Sequence, residues 1–356
     1  MGSVTDQKTM RAQQFDHRDN QLHLNEVPIP TPQAHELLVK MSCASLCHSD
    51  TMLFVPNEQG LILGPNPVVT IGHEGTGRVV STGSGEIASR FSKGDPVGFI
   101  CPVDCCFECY ACKEVHNSWC KTGKTQMQGF GRDGYFAEYA VVDARNAMVL
   151  PDNLDPKYSA PLFCAGVTAY HGIADCELPP GSWLAVIGCG GLGHMGIQYA
   201  KAMGYKVIGI DITEAALEEA RSCGADHVLN SISDKDYKKK ITEITGGGVH
   251  AAVNFTASKK SYDDCPAIVK PGEGTIMVVG IPQQPLEFNG LDIALGRYKV
   301  KGSNNGTCYN MKAAIEFSAK HNIKPHMSTY KLEEVPRMIE LMNAHKAQGR
   351  MGVVFD

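Results

Sequence analysis

Between Leu184 and Asp211 the chain reads LAVIGCGGLGHMGIQYAKAMGYKVIGID, and this order of residues admits few folds. An apolar run, Trp183–Ile187, has the length and composition of a buried strand. Gly188, Gly190 and Gly193 follow in G-x-G-x-x-G order, then an amphipathic helical run closed by Gly204, then a second apolar strand over 206–210 that ends on Asp211. Strand, glycine turn, helix, strand and acid within one such unit is the pattern of a dinucleotide-binding βαβ fold. The glycines have separate tasks. Gly188 permits the tight turn, Gly190 lets a pyrophosphate approach the backbone, and Gly193 lets helix and strand pack closely. Gly191 and Leu192 complete the turn, and the pyrophosphate is expected at the positive end of the helix. Asp211 suits the hydroxyls of an adenosine ribose and repels a 2′-phosphate, so the expected cofactor is NAD(H), not its phosphorylated form.

The remaining sequence is long enough for a second domain, since the chain has 356 residues. Net charge is −5 without a basic block, which gives no footing for nucleic acid or an anionic membrane. No apolar stretch is long enough to span a bilayer. The first twenty residues carry acids and lack an apolar centre, so neither a secretory nor a transit peptide is expected, and the expected location is cytoplasmic. Fourteen cysteines in a reducing compartment read as metal ligands and small buried side chains rather than disulfides.

Residues 1–160 read as β-rich, with short apolar runs (Leu37–Met41, Val68–Ile71, Gly77–Ser81, Asp95–Ile100, Phe136–Val142) separated by turn residues. Asn57–Pro67 reads as a loop. From about 161 to 301 strands alternate with helical stretches. Helices are expected at Thr213–Cys223 and Asp234–Thr245, and strands at Val228–Leu229, Ala251–Phe255 and Thr275–Gly280. The expected fold is α/β, with a doubly wound parallel sheet over 161–301. Val279, at the end of the last of these strands, joins the expected cofactor contacts. Two helices, Met311–Lys320 and Leu332–Ala344, and a strand, Val353–Phe355, are expected to close the chain.

Two sets of metal-ligating residues stand out. Cys106, Cys109, Cys112 and Cys120 form C-x2-C-x2-C-x7-C in a Gly/Pro/aromatic loop. Four thiolates at such spacing can enclose one tetrahedral zinc ion and leave no open position, which makes the site structural. Cys105 is an alternative first ligand on spacing alone. The second set is dispersed: Cys47 in Cys-His-Ser-Asp, His73 in Gly-His-Glu-Gly, and Cys164 in APLFCAGVTAY. Two thiolates and one imidazole with a fourth position open is a catalytic zinc arrangement.

These motifs, with Gly94-Asp95-Pro96-Val97-Gly98 between them, occur in the order seen in zinc-dependent alcohol dehydrogenases of the medium-chain dehydrogenase/reductase superfamily. The chain resembles that family over essentially its whole length, and most of all its shorter, microbial and fungal, NAD-linked members. The resemblance implies a GroES-like catalytic domain over 1–160 and 302–356 carrying both zinc sites, a Rossmann domain over 161–301, two zinc ions per chain, NAD(H) and a homotetramer. It implies that Cys47, His73 and Cys164 hold the catalytic zinc and that Glu74 transiently ligates it. Asp50 would orient His73, Ser49 would relay the substrate proton, and His48 and Arg350 would contact the cofactor pyrophosphate. Two departures are expected to matter. Met52 stands where many members end the proton relay with a histidine. Cys101 stands near the place of an aromatic residue over the substrate, which implies room for substrates bulkier than ethanol. The implied reaction is hydride transfer between NAD(H) and an alcohol or its aldehyde or ketone. A cinnamyl-type, polyol or specialised biosynthetic dehydrogenase is the alternative within the family, and a catalytically silent NADH-binding protein the alternative outside it.

Overall fold

The computed structural model describes residues 8–54, 66–344, 346–347 and 349–356. The loop expected at Asn57–Pro67 lies outside these except for its last two residues. The chain divides into two compact units. The first runs to Cys164 and takes in Thr307–Ala319 and Met327–Asp356; the second is Ala165–Gly306 with Lys320–His326.

In chain order the first unit contributes β1 (Thr9–Asp16), β2 (Gln21–Pro28), β3 (Glu36–Leu46), β4 (Val68–Thr70), β5 (Glu74–Thr82), β6 (Pro96–Phe99), β7 (Pro102–Val103), β8 (Gln126–Met127), β9 (Tyr139–Asp143) and β10 (Ala147–Val149). The second contributes α1 (Ala165–Ala174), β11 (Trp183–Ile187), α2 (Gly193–Ala202), β12 (Lys206–Asp211), α3 (Glu214–Ser222) and β13 (His227–Asn230). It continues with α4 (Tyr237–Thr245), β14 (Ala251–Asn254), α5 (Lys259–Ile268), β15 (Thr275–Val278), α6 (Gly290–Ala294) and β16 (Lys299–Gly302). Then come α7 (Cys308–His321), β17 (Met327–Tyr330), α8 (Val335–Asn343) and β18 (Arg350–Val354). Among the described residues no helix is long and apolar enough to cross a membrane.

The first unit is organised around β3, which pairs with β5, β9 and the last strand, β18. Alternation of large apolar residues along β3 and β5 buries Leu37, Val39, Met41 and Val79 in one core with Phe99, Tyr135 and Phe136. The core admits no extra atoms at Gly98: a Cβ there would lie 2.0 Å from the Phe163 ring. The β1–β2 hairpin is not legible in the sequence, because β2 is largely exposed and lacks an apolar run.

The second unit is a six-stranded sheet in the order β13-β12-β11-β14-β15-β16, with every pairing parallel. Strand order therefore reverses between β11 and β14, the point at which such sheets bind ligands. The expected strands and helices of this sheet are present, with ends shifted by up to three residues. Helices α1, α5 and α6 and the edge strand β16 are additions. Helix α5 carries Pro266 in its interior, which obscures its helical signal.

Gly98→Val should force Phe163, the neighbour of Cys164, out of its place. A cost of at least about 1–3 kcal/mol is expected for such overpacking, read as a lower urea midpoint with an unchanged slope.

Candidate metal centres and cofactor site

Cys47 is the first residue beyond β3, and His48–Leu53 continue as a short helical turn. His73 is the last residue before β5, and Cys164 follows the turn Ala160–Phe163. Pairing of β3 with β5 sets Ser45 opposite Glu74 and so brings the two motifs together. One donor atom each from Cys47, His73, Glu74 and Cys164 lies within 4.8 Å of the others.

Asp50 links two of these residues. It is wholly buried, and its Oδ2 accepts the backbone N–H of Cys47 at 2.9 Å. Its Oδ1 lies 2.7 Å from His73 Nδ1. The imidazole therefore carries its proton on Nδ1 and keeps the Nε2 lone pair for a metal. Cys164 donates to Cys47. That bond and the His73 ring hold the Cys47 thiol well below its usual range against the effect of burial, while Cys164 is pushed up. Burial lowers the His73 pKa, but Asp50 and Cys47 outweigh it and the net shift is upward.

Glu74 supplies the test of whether a cation fits. Its Oε2 accepts hydrogen bonds from Ser45 and Arg350, whereas Oε1 is buried without a partner. Burial pushes this carboxyl up to about 7, with the Arg350 guanidinium opposing. An unpartnered carboxylate oxygen beside two thiols and an imidazole is a donor set that zinc satisfies. Ser49 is half-buried, and its Oγ accepts from Cys47 Sγ at 3.8 Å, so the hydroxyl sits beside the metal residues. His48 is exposed, and its carbonyl accepts from the Thr51 hydroxyl. Met52 is half-buried. Cys101 is 2% exposed and belongs to the β3 core, with its thiol raised to about 11 by burial.

Arg350 is buried beside Glu74. Strand β18 lies beside β3 with Met351 opposite Leu46, which draws Arg350 inside, 4% exposed, onto the Glu74 carboxylate. Its guanidinium is a partner of Glu74.

The four-cysteine loop converges as a second set, with the Cys106, Cys109, Cys112 and Cys120 sulfurs within 4.8 Å of one another. Backbone N–H groups already point at the sulfurs: Cys106 N donates to Cys120 Sγ at 3.3 Å and Cys109 N to Cys106 Sγ at 3.4 Å. Burial disfavours the Cys120 thiolate, but the Thr122 hydroxyl and the Cys106 N–H outweigh it and bring the thiol down to about 6. Cys105 stands apart, accepting from the Asn117 side chain at 3.2 Å. The Tyr309 hydroxyl of α7 donates to the Phe107 carbonyl at 2.8 Å, and Arg145 lies over the Phe107 ring at 4.1 Å, tying the loop down.

In the second unit the glycine turn joins β11 to α2. Gly188 has φ +83°, and a Cβ on Gly193 would lie 1.8 Å from the Gly188 carbonyl oxygen. A Cβ on Gly190 would meet nothing within 4 Å, so the turn is open where a phosphate would approach. Gly191 and Leu192 lie in the turn, half-buried, immediately before α2. Asp211 ends β12. Its Oδ1 accepts from the Ile212 and Thr213 backbone and the Thr213 hydroxyl, and its Oδ2 accepts from Cys189 N at 2.8 Å. Oδ2 therefore keeps room for a ribose hydroxyl. Val279 follows β15, 9% exposed, and packs toward Gly172 of α1.

A family model described as alcohol dehydrogenase GroES-like domain matches residues 33–152, and one described as zinc-binding dehydrogenase matches 191–320. An alcohol dehydrogenase of Geobacillus stearothermophilus is 36% identical over 331 residues, 93% of this chain and 94% of that protein. The crystal structure of the alcohol dehydrogenase of Aeropyrum pernix superposes with a TM-score of 0.85 at 27% identity, covering 97% of this chain and all of that one. Acetophenone reductase of Geotrichum candidum, solved in complex with NAD, gives 0.84 at 25% identity and 99% coverage of both chains. This chain belongs to the zinc-binding alcohol dehydrogenase family.

Asp50→Ala should weaken the metal held by Cys47, His73 and Cys164 by about 10–100-fold and leave the four-cysteine metal in place, as read by zinc per chain against a graded chelator. Cys109→Ser should have the converse effect, losing the loop's metal together with thermal stability.

Proposed function

We propose that this protein is a cytoplasmic, homotetrameric, NAD-dependent alcohol dehydrogenase carrying two zinc ions per chain. It interconverts primary or secondary alcohols with their aldehydes or ketones. The observation that carries this reading is the convergence of Cys47, His73, Glu74 and Cys164, with Asp50 joined to both Cys47 and His73. When bound, zinc polarises the substrate oxygen and NAD(H) carries the hydride.

The chain's own residues do the rest. Cys47, His73 and Cys164 hold the catalytic ion, and Asp50 keeps the imidazole in the ligating tautomer. Ser49 Oγ, beside Cys47, accepts the substrate's proton in alcohol oxidation and returns it in reduction. Met52 cannot pass that proton on, so it leaves through water. Glu74 offers Oε1 as a further donor. Cys106, Cys109, Cys112 and Cys120 brace their loop around the structural ion. Gly188, Gly190, Gly191, Leu192 and Gly193 form the phosphate-binding turn, and Asp211 selects the unphosphorylated ribose. His48 and Val279 are assigned to the cofactor as well. Cys101, smaller than the aromatic residue expected there, favours substrates bulkier than ethanol.

The reading is tested by nicotinamide absorbance with zinc-replete protein and a panel of aliphatic and aromatic aldehydes and ketones. Turnover with NADH, abolished by chelation, is expected. Binding of NADH without turnover of any substrate would instead favour a silent binding protein. Ser49→Ala should lower kcat by about 10²–10⁴-fold with zinc content unchanged. Asp211→Ser should raise kcat/KM with NADPH relative to NADH.

A further inference from the structure

A third set of ligating side chains lies in the second unit. Glu219 and Cys223 stand one helical turn apart at the C-terminal end of α3, where Cys223 N donates to the Glu219 carbonyl at 3.0 Å. Residues i and i+4 share a helix face, so carboxylate and thiol point the same way. His326 arrives from the segment Lys320–His326, and its Nδ1 hydrogen-bonds to Glu219 Oε1. One donor atom from each of the three lies within 4.8 Å of the other two. Tetrahedral donors about 2.0–2.3 Å from a zinc ion stand about 3.5 Å apart, so small side-chain rotations close the set.

The backbone that carries His326 is held in place. The Gln198 amide of α2 bonds both sides of Lys324, donating to its carbonyl at 2.9 Å and accepting its N–H at 3.1 Å. The His326 N–H donates to His194 Nε2 at 3.0 Å, and His194 Nδ1 lies 3.0 Å from the Gly190 carbonyl oxygen. The histidine ligand is therefore presented from an anchored segment, which lowers the ordering cost of binding an ion. Among the described residues the thiol's partners are weak, Gln198 Nε2 at 3.9 Å and the Ser222 hydroxyl at 4.0 Å. Burial, with Glu219 adding to it, pushes the thiol up to about 11, which makes it a poor nucleophile and disfavours a redox-sensor role.

We propose that Glu219, Cys223 and His326 form a third metal site on this protein, for a divalent first-row ion of borderline softness, with Zn2+ the expected occupant. Carboxylate, thiolate and imidazole together select zinc over the hard ions Mg2+ and Ca2+, which take oxygen donors. Three protein ligands leave a fourth position to water. The ion is consequently held less tightly than one enclosed by four thiolates and exchanges with free zinc. Glu219 and Cys223 supply one helix and His326 a separate segment, so the ion ties Lys320–His326 to α3.

The test uses the full-length, zinc-loaded protein dialysed to equilibrium at buffered free Zn2+. Wild type is expected to hold one zinc per chain more than Cys223→Ser or His326→Ala, with affinity for that extra ion at least tenfold weaker in each variant. The readout is a difference between wild type and variants, so it does not depend on how many ions the other two sites hold. Addition of Co2+ to the zinc-loaded protein should produce thiolate-to-cobalt charge-transfer absorption that is missing in Cys223→Ser. A second measurement needs no variant: Zn2+ should slow alkylation of Cys223 in wild type at least tenfold, mapped by mass spectrometry. Equal zinc content in wild type and both variants, cobalt binding without the thiolate band, or alkylation of Cys223 indifferent to Zn2+ would each overturn the proposal.

Discussion

Asp50 is the interaction on which the first unit's chemistry depends. One carboxylate accepts the backbone N–H of Cys47 through one oxygen and faces the His73 ring with the other. The N–H bond fixes where the chain leaves β3, and the ring contact fixes the orientation of an imidazole contributed by a different strand. Two ligands distant in sequence are thus registered against each other by a single buried charge. A buried carboxylate is costly unless its lone pairs are met, and here the groups that meet them belong to the candidate metal site. The same economy operates at Glu74, where Ser45 and Arg350 occupy one oxygen and leave the other unpartnered beside Cys47, His73 and Cys164.

The βαβ unit around Gly188–Asp211 was fully legible, because each of its steps is enforced locally. A side chain at Gly193 would collide with the Gly188 carbonyl, and the strands are continuous apolar runs. The four-cysteine set was legible for a related reason, since the ligands fall within fifteen residues and need no distant partner. Spacing left Cys105 and Cys106 open, and only the fold separates them: one sulfur joins three others while its neighbour takes the Asn117 amide. The dispersed set Cys47, His73 and Cys164 needed family resemblance, because nothing in their spacing encodes the pairing of β3 with β5.

Other features were out of reach for physical reasons. The β1–β2 hairpin is stabilised by its pairing in a sheet with β4, not by an apolar pattern of its own. The pairing of Arg350 with Glu74 was not legible, because it depends on the long-range pairing of β18 with β3. The group Glu219, Cys223 and His326 is invisible in sequence, because two members sit on a helix and the third lies about a hundred residues further along.

The pairing of β18 with β3 sets Gly352 opposite Ser45, so segments some three hundred residues apart meet beside Cys47 and Glu74. A ribosome delivers β3, Cys47, His73 and Glu74 long before Arg350. Until then Glu74 has no guanidinium, and β3 has an open edge of the kind that invites pairing with other chains. The parallel sheet of the second unit is complete in sequence well before that, so it has the opportunity to fold first. A nascent chain that stops before β18 therefore carries Cys47, His73 and Cys164 without the strand that joins β3 beside them.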